Sequence, residues 1–498
     1  MNYRHTREYQ GYLEKACELA DHMPSQTHEF GEWLNKNFFY GDLCCPEFSY
    51  TSGVHFLMSM KSLSDLLMRR QSSNQLSALL HKQIEMTKNS IPRPRMAFFT
   101  QEFFLWSSFQ SVWEAYQGIA DTDLVFVYDL NAEAHLNGKE NAADKQKMEI
   151  AAYKKSGYPI LTMKEYDLQA VSPDVVFYMK PYKYFRGCPD DWFVKTVKKM
   201  TPYTVFISYC LDVQGGEELR KYFYEQPAFY YMWRIIGYSD YYKKMMTRYG
   251  FRNGENVVTL GHPKFDCSYD LISHKAFVYP EWEKKIAGRP VIFWNSHFSV
   301  LPENGVGTFI QWSRLIFSYF KNNSDAVLLW RPHPLFWETI QQNYPEQNAE
   351  FEAFVKDLET WPNVIVDRTE DYRYAFSMSD ALISDAATFL VEYCASGKPV
   401  LYTEKKNGEK VCCEDYLVGL QIARTEDDII DFIGEVKTGR ITGSEIREKQ
   451  FKKIFGSCDG KAGQRISEYV LKEMDFDIGE RVKNRLVRFG EENRDALE

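Results

Sequence analysis

Residues 379–388 of this 498-residue chain read Ser-Asp-Ala-Leu-Ile-Ser-Asp-Ala-Ala-Thr, an apolar strand pattern that runs into a polar turn and a helix. A buried strand followed at once by a helix is the repeating unit of a parallel sheet with helices on both faces. The start of the helix places unpaired backbone N–H groups beyond the end of the strand. We therefore predict a phosphate-binding turn at Ser384, Asp385, Ala387 and Thr388, with a plain helix cap at Asp385 as the alternative.

Similar apolar runs recur along the chain and are separated by segments with helical periodicity. They lie at 96–99, 124–128, 175–178, 203–209 and 257–260 in the first half, and at 291–294, 326–330, 364–366 and 399–402 in the second. This alternation predicts an α/β protein with two doubly wound, Rossmann-like domains. The predicted division is a helical extension at 1–90, a first domain at 91–280, a second at 281–425 and C-terminal helices at 426–498.

Composition restricts the class of protein. The hydrophobic content of 44% suffices for two cores, and the formal net charge of −9 argues against a general nucleic-acid binder. The ten cysteines show no Cys-x-x-Cys spacing, which argues against a zinc module or a regular disulfide framework. Neither a signal peptide nor an apolar stretch long enough to span a membrane is present, so we expect a cytoplasmic protein with reduced thiols.

Arg331 and His333 flank a proline directly after the very apolar run at 326–330. Both side chains are therefore predicted to leave the carboxyl edge of the sheet together. Arginine binds phosphate through two parallel hydrogen bonds, and a neighbouring imidazole can donate to a phosphoryl oxygen. The pair suits a diphosphate, although a histidine beside a proline turn can also serve only to satisfy a backbone group.

Three further segments carry candidate site residues. Gly261 permits a tight turn after a short strand, where His262 and Lys264 could contact phosphate or form a structural turn instead. Glu392 lies one helical turn after the phosphate-binding turn, where its carboxylate could hold a ribose diol or be solvated. His297 follows the strand at 291–294 and is a further candidate for the site.

Residues 261–266, 331–333 and 379–402 together resemble the CDP-glycerol glycerophosphotransferase family, which builds polymers of the teichoic-acid type. The resemblance implies a GT-B architecture, in which two Rossmann-like domains face a cleft. It also implies transfer of glycerol phosphate, or a related polyol phosphate, from a CDP-activated donor to an acceptor hydroxyl, with release of CMP. By motif position, Arg331 and His333 would hold the donor diphosphate, and residues 385–388 would bind phosphate.

One departure from the family concerns the general base. Polymerising members carry a His-Gly pair after a strand of the first domain, whereas the matching place here reads Tyr209-Cys210. A tyrosine with a pKa near 10 is a poor base at neutral pH. We therefore name Asp212, Glu102 and His297 as candidates for the base, and His333 as a catalytic residue that lowers the barrier to phosphoryl transfer.

The resemblance also sets the expected partners. The donor substrate is CDP-glycerol, no cofactor or metal is required, and a weakly bound magnesium ion on the donor remains open. The acceptor is a glycan or a lipid-linked polymer, and peripheral attachment to the inner face of the cell membrane is an alternative to a freely dissolved enzyme. A basic surface formed by Lys180, Lys183, Lys195, Lys198 and Lys199 is the candidate for that attachment, against the alternative of a solvated helix face. A glycosyltransferase that uses a nucleotide sugar and a non-catalytic nucleotide-binding homologue are the competing functions.

Overall fold

The structure is a computed structural model. It describes residues 2–41, 51–69, 72–128, 139–182, 189–211, 221, 223–272, 277–301, 305–369, 371–385, 387–406, 419–440, 444–456 and 458–492. Of the residues singled out in the sequence, Asp212 and Lys183 lie outside these ranges.

The chain divides into two units that are each discontinuous in sequence. The first unit comprises residues 1–208, 227–236 and 463–498, and the second comprises 209–226 and 237–462. The sequence predicts contiguous domains at 91–280 and 281–425, and this division stays a prediction.

The first sheet has seven strands in the order β3-β2-β1-β4-β5-β6-β7. Its strands are β1 (Arg95–Thr100), β2 (Asp121–Phe126), β3 (Ile160–Thr162), β4 (Val175–Tyr178), β5 (Tyr203–Ile207), β6 (Arg234–Gly237) and β7 (Val257–Thr259). The pairings from β3 through β6 are parallel. The helices between these strands are α5 (Gln110–Ala115), α6 (Lys139–Lys155), α7 (Leu168–Val171), α8 (Val194–Val197), α9 (Ala228–Tyr231) and α10 (Asp240–Tyr249).

Four helices precede the first sheet: α1 (Tyr3–His22), α2 (Thr27–Asn35), α3 (Thr51–Met68) and α4 (Ser73–Asn89). Their apolar faces form a core of their own, which also contains Val482 and Phe489 from the long C-terminal helix. The ring of Phe489 packs edge-on against Phe30 at 4.9 Å. The helical extension is therefore stabilised by the two ends of the chain together.

The second sheet has six strands in the order β10-β9-β8-β11-β12-β13, and all its pairings are parallel. The strands are β8 (Val291–Asn295), β9 (Val327–Trp330), β10 (Val364–Val366), β11 (Ala381–Ser384), β12 (Val400–Thr403) and β13 (Gln421–Ala423). The helices that follow β7 are α11 (Pro263–Ile272), α12 (Pro280–Ile286), α13 (Phe309–Asn322), α14 (Phe336–Asn343), α15 (Asn348–Thr360), α16 (Arg373–Met378), α17 (Ala387–Cys394), α18 (Glu426–Thr438), α19 (Ser444–Phe455) and α20 (Ala462–Glu492).

The core of the second unit is rich in aromatic residues. The rings of Trp294 on β8 and Trp330 on β9 stack at 5.9 Å, and Phe309 at the start of α13 stacks on both. All three side chains are buried. This packing fixes the start of α13 against the ends of the two strands, and those ends carry the candidate site.

The predicted fold class is confirmed: the protein is α/β, with a helical N-terminal region and two parallel sheets. In both sheets the first six strands follow the order 3-2-1-4-5-6, which is the order of a doubly wound, Rossmann-like sheet. This is the composition of a GT-B protein. Among the described residues, no helix combines the length and apolar character needed to cross a membrane.

Candidate functional site

The candidate site lies where the strand order of the second sheet reverses, between β8 and β11. Ser384 pairs in register with Asn295, and Trp294 pairs with Trp330, so the residues that follow these strands emerge at one edge. Open α/β sheets bind their ligands at this switch point, outside the carboxyl ends of the strands. The Ser384 hydroxyl donates to the Asn295 side-chain oxygen at 3.1 Å, which ties the two strand ends together.

Asp385 holds the loop that joins β8 to α13. Its carboxylate accepts hydrogen bonds from the backbone N–H of His297 at 2.7 Å, and from the backbone N–H and the hydroxyl of Thr308. The Thr308 hydroxyl also lies 2.9 Å from that of Thr403 on β12. Asp385 thus joins both ends of the 297–308 loop to the end of β11.

The turn that precedes α13 is held by hydrogen bonds within the chain. The Ser299 hydroxyl oxygen accepts from the backbone N–H groups of Val306 at 3.1 Å and Gly307 at 3.0 Å. A side chain at Gly307 would place its Cβ 2.4 Å from the Ser299 carbonyl oxygen, so only glycine allows this approach. With Asp385 on Thr308, the chain supplies its own acceptors where a Rossmann fold ordinarily binds phosphate.

A second helix, α17, also starts at this switch point. It has eight residues and begins at Ala387, and its first backbone N–H groups have no partner within the helix. The half-buried Thr388 hydroxyl makes no hydrogen bond to any residue that the structure describes. The start of α17 can therefore offer backbone and hydroxyl donors to an anion.

Arg331 follows β9 and is held in place by the end of β10. Its Nη1 donates to the Asp367 carboxylate at 2.7 Å and to the Thr369 hydroxyl at 3.0 Å. Asp367 in turn accepts from the backbone N–H of Thr369 at 2.8 Å. These bonds use one of the guanidinium nitrogens and orient the group, which leaves further N–H donors for a ligand.

His333 and His297 lie side by side. Their ring centroids are 5.6 Å apart, and the ring of Phe298 lies 4.2 Å from His297 and 4.8 Å from His333. The backbone N–H of His333 donates to the Ser296 carbonyl oxygen at 2.8 Å, which ties the turn after β9 to the turn after β8. The structure thus brings together Arg331, His333, His297 and the turn at Asp385.

Burial moves the pKa values of two site residues in opposite senses. It raises the pKa of Asp385 to about 6, against the opposing effect of the hydrogen bonds from Thr308 and His297. Burial also lowers the pKa of His297 to about 4, and the positive charge of Lys405 adds to that effect. His297 is therefore neutral at physiological pH.

The pKa of His297 predicts a pH-dependent stability. A histidine with a folded pKa near 4 and an unfolded pKa near 6.5 contributes its full stability above pH 6.5 and loses it as the pH falls through 4. We therefore expect the free-energy cost of the His297→Gln substitution to be about 2 kcal/mol smaller at pH 5 than at pH 7.5. Urea unfolding of both proteins at the two pH values measures it, and an equal cost at both would contradict the prediction.

Glu392 and Lys264 pair with each other inside the second unit. The Lys264 ammonium lies 2.7 Å from the Glu392 carboxylate, and their side chains are 8% and 0% exposed. The other carboxylate oxygen accepts from the Tyr372 hydroxyl at 2.8 Å. The sequence assigns Glu392 to a ribose diol and Lys264 to phosphate, whereas the structure has both oxygens and the ammonium engaged within the chain.

The turn at Gly261 has the form expected of it. Gly261 adopts a φ of +94°, which favours glycine, and the buried His262 ring accepts from the backbone N–H of Lys264 at 3.2 Å through Nδ1. Asp266 accepts from the backbone N–H of Ala462 at 3.0 Å. These contacts support the structural alternative for His262, because the turn ties α11 to the start of α20.

Lys398 lies within the run that carries the family resemblance, and its ammonium is bonded to backbone groups of the chain. Its ammonium donates to the backbone carbonyl oxygens of Phe376 at 2.8 Å, Ser377 at 3.1 Å and Ser379 at 2.6 Å. These carbonyls lie at the end of α16, where a cation satisfies the last acceptors of the helix. Burial lowers the pKa of Lys398 to about 8.

Glu102, a candidate base, lies in the first unit at the switch point between β1 and β4. It forms a buried ion pair with Lys180 at 2.6 Å. Burial alone would raise the pKa of Glu102, but the Lys180 ammonium outweighs it and the pKa is lowered. A paired carboxylate with a lowered pKa is a weak base. Lys180 is therefore not part of an exposed basic surface, whereas Lys195, Lys198 and Lys199 are exposed.

Three residues of the site were not predicted from the sequence: Asp367, Thr308 and Lys405. Asp367 directly follows the strand at 364–366, and Lys405 follows β12. The rule that selected Arg331 and His297, namely a polar residue just after an apolar run, would have found both. Thr308 precedes α13 and carries only the ordinary signal of a helix cap.

The described residues contain no group of three or more His, Cys, Asp or Glu side chains arranged to hold a metal ion. The positive groups of the site are instead Arg331, Lys405 and the start of α17.

Comparison with known proteins agrees with the resemblance in the sequence. Residues 310–472 match the family described as CDP-Glycerol:Poly(glycerophosphate) glycerophosphotransferase, which confirms the resemblance over this segment. The matched segment includes Arg331, His333 and the turn at 384–388. It connects this part of the chain to a transferase family. The search for curated relatives finds no match.

Solved structures with a similar fold are found at low sequence identity. A TagF wall teichoic acid polymerase variant soaked with CDPG has 13% identity and a TM-score of 0.48, and the match covers 80% of this chain and 96% of that one. The S. aureus MnaA–UDP co-structure has 12% identity, a TM-score of 0.48, and covers 77% and 97%. UDP-GlcNAc 2-epimerase from Methanocaldococcus jannaschii has 12% identity, a TM-score of 0.47, and covers 76% and 99%.

Proposed function

Because residues 310–472 match the glycerophosphotransferase family, we propose that this protein transfers glycerol phosphate, or a related polyol phosphate, from a CDP-activated donor to an acceptor hydroxyl. The acceptor belongs to a cell-envelope polymer or glycan, and CMP is released. One observation carries the proposal: the switch point of the second sheet combines Arg331, His333 and the start of α17 at one edge.

The donor diphosphate would lie at the start of α17. The backbone N–H groups there and the Thr388 hydroxyl supply donors, and the helix dipole favours negative charge. Arg331, already oriented by Asp367, would bind phosphoryl oxygens, and His333 would donate to the same group. Asp385 takes part only by holding the 297–308 loop in place.

The reaction is an in-line displacement at phosphorus. The acceptor oxygen forms a bond to the phosphorus next to the polyol, the bond from that phosphorus to the oxygen of CMP breaks, and the hydroxyl loses its proton. Phosphoryl transfer of this kind depends on alignment and charge neutralisation more than on covalent chemistry by the protein. Arg331, His333 and the start of α17 supply positive charge and donors for the charge that develops on the leaving phosphate.

Asp212 stays the proposed acceptor of the hydroxyl proton. Of the other candidates, Glu102 is paired with Lys180, and His297 is engaged by its own loop. Asp212 follows β5 closely in sequence, as does the Tyr209-Cys210 pair. The loss of turnover in an Asp212→Asn variant, with donor binding retained, would support this assignment.

A donor panel tests the proposed function. Purified protein is incubated with CDP-glycerol, CDP-ribitol and common nucleotide sugars, with and without a cell-envelope lipid extract, and the products are identified by mass spectrometry. We expect CMP with a CDP-polyol donor only. A nucleoside diphosphate released from a sugar donor would favour a glycosyltransferase instead, and donor binding without turnover would favour a non-catalytic homologue. A parallel arm with EDTA tests whether magnesium on the donor matters.

A further inference from the structure

The imidazole of His297 is fixed at the switch point by its own loop. We infer that His297 donates a hydrogen bond from Nε2 to a phosphoryl group of the donor, and that it does not act as the general base. The inference rests on the proposed function for the identity of the ligand. It makes His297 a catalytic residue that stabilises phosphate charge.

The hydrogen bonds at Nδ1 decide which nitrogen carries the proton. The backbone N–H of Ser299 donates to His297 Nδ1 at 3.2 Å, and the Ser299 hydroxyl lies 2.8 Å from the same atom. That hydroxyl oxygen already accepts from Val306 and Gly307, so its own hydrogen points at Nδ1. Nδ1 therefore keeps its lone pair, and the proton of the neutral ring lies on Nε2.

A base needs a nitrogen that can accept the proton of the substrate. Nδ1 of His297 is occupied by two donors, and Nε2 is already protonated. The ring also stays neutral, because burial and the charge of Lys405 hold its pKa far below physiological pH. The remaining role is that of a neutral N–H donor, and Nε2 makes no hydrogen bond with any residue that the structure describes.

The neighbouring His333 is held in a similar way. Its Nδ1 accepts from the backbone N–H of Leu335 at 3.1 Å. The two ring centroids are 5.6 Å apart and both rings contact Phe298. A phosphoryl group bound at His297 would therefore lie beside His333.

The charge around His297 suits an anion. The Asp385 carboxylate is buried and bonded to the loop backbone, while the Lys405 side chain, which donates to the Leu301 carbonyl oxygen at 2.7 Å, supplies positive charge near the ring. Neutral donors beside a cation stabilise charge as it develops without requiring any group to reorganise. The same site binds a proton poorly, for the same electrostatic reason.

NMR can measure directly which ring nitrogen of His297 carries the proton. Long-range ¹H–¹⁵N spectra of the full-length protein labelled with ¹⁵N-histidine report which ring nitrogen carries hydrogen, and the signal of His297 is the one lost in His297→Gln. We expect a neutral ring protonated at Nε2, with no titration between pH 5.5 and 8. A ring protonated at Nδ1, or one that titrates near pH 7, would overturn the inference. Neither result depends on knowing the donor.

Two substitutions test the roles of the two ring nitrogens of His297 separately. In His297→Gln the side-chain NH₂ can replace the Nε2–H donor, whereas in His297→Asn the shorter side chain can replace only the Nδ1 acceptor. With inorganic pyrophosphate as the probe in calorimetry, we expect His297→Asn to weaken binding about 10- to 100-fold, as for the loss of a hydrogen bond to a charged group, and His297→Gln to weaken it less than about 3-fold. Thermal unfolding confirms that both variants are folded.

Equal affinity in all three proteins, equal losses in both variants, or no binding of pyrophosphate by the unsubstituted protein would overturn the inference. The predicted pattern without turnover of any CDP-polyol would keep the role of His297 as a phosphate donor and reject the proposed substrate. The two proposals can therefore fail separately.

Discussion

Replacing His333 with alanine is expected to lower kcat/KM for a CDP-polyol donor about 100- to 1000-fold, with most of the loss in kcat. The reason is that its Nε2–H donor strengthens its hydrogen bond as negative charge grows on the phosphate. Its Nδ1 is held by the backbone N–H of Leu335 at 3.1 Å, so the ring is already oriented before the donor binds. Steady-state kinetics with the donor identified by the panel measures the effect.

A His333→Gln variant provides the matched test, because its side-chain NH₂ can stand where Nε2–H stood. We expect it to recover part of the lost kcat. His28→Ala serves as the control for removal of a histidine, since His28 is exposed on α2 and pairs with Glu32 on the same helix. An unchanged kcat/KM in His333→Ala would reject the assignment of His333.

The second large effect is on stability. Replacing Lys264 with methionine is expected to lower the free energy of unfolding by about 3–5 kcal/mol, because it leaves the fully buried Glu392 carboxylate without its cation. Tyr372 alone, donating at 2.8 Å, cannot replace that charge. Urea unfolding at pH 7.5 measures the loss.

The double variant Lys264→Met/Glu392→Met should recover most of this stability, because it removes both charges from the interior. Lys147→Met is the control: Lys147 pairs with Asp144 at 3.0 Å on an exposed helix face, and its loss should cost less than about 0.5 kcal/mol. Equal costs for Lys264→Met and Lys147→Met would show that the buried pair does not stabilise the fold. If Glu392 bound a ribose instead, the single variant would lose donor affinity without losing stability.

Long apolar runs made the fold readable from the sequence. The strands at β1, β4, β8, β9 and β11 coincide with the predicted runs to within one or two residues, because buried parallel strands are nearly continuous in apolar residues. The strands that the sequence reading missed are β3, β6 and β13. Each is three or four residues long. In addition, β6 follows directly on the aromatic segment at 228–233, where the periodicity of apolar residues does not distinguish a strand from a helix.

The positions of the site residues could be predicted, but their partners could not. The strand-end rule selects Arg331, His333 and Asp385 from sequence alone. Sequence gives no sign that Lys264 reaches Glu392 across 128 residues, or that Asp385 reaches Thr308 across 77. A carboxylate near a binding turn looks the same in sequence whether it faces a ligand or a buried lysine, since only the folded chain decides its neighbours.

The hydrogen-bonded turn before α13 has a consequence for how relatives of this chain diverge. Ser299, Gly307, Thr308 and Asp385 form one set of hydrogen bonds, and the aspartate comes from the end of the neighbouring strand β11. A lineage that loses Asp385 exposes unpaired amides at Thr308 and His297, and so acquires an empty anion site. We expect such lineages either to change all four positions together or to have gained a second phosphate-binding turn. A second turn of this kind would change which donor the protein binds.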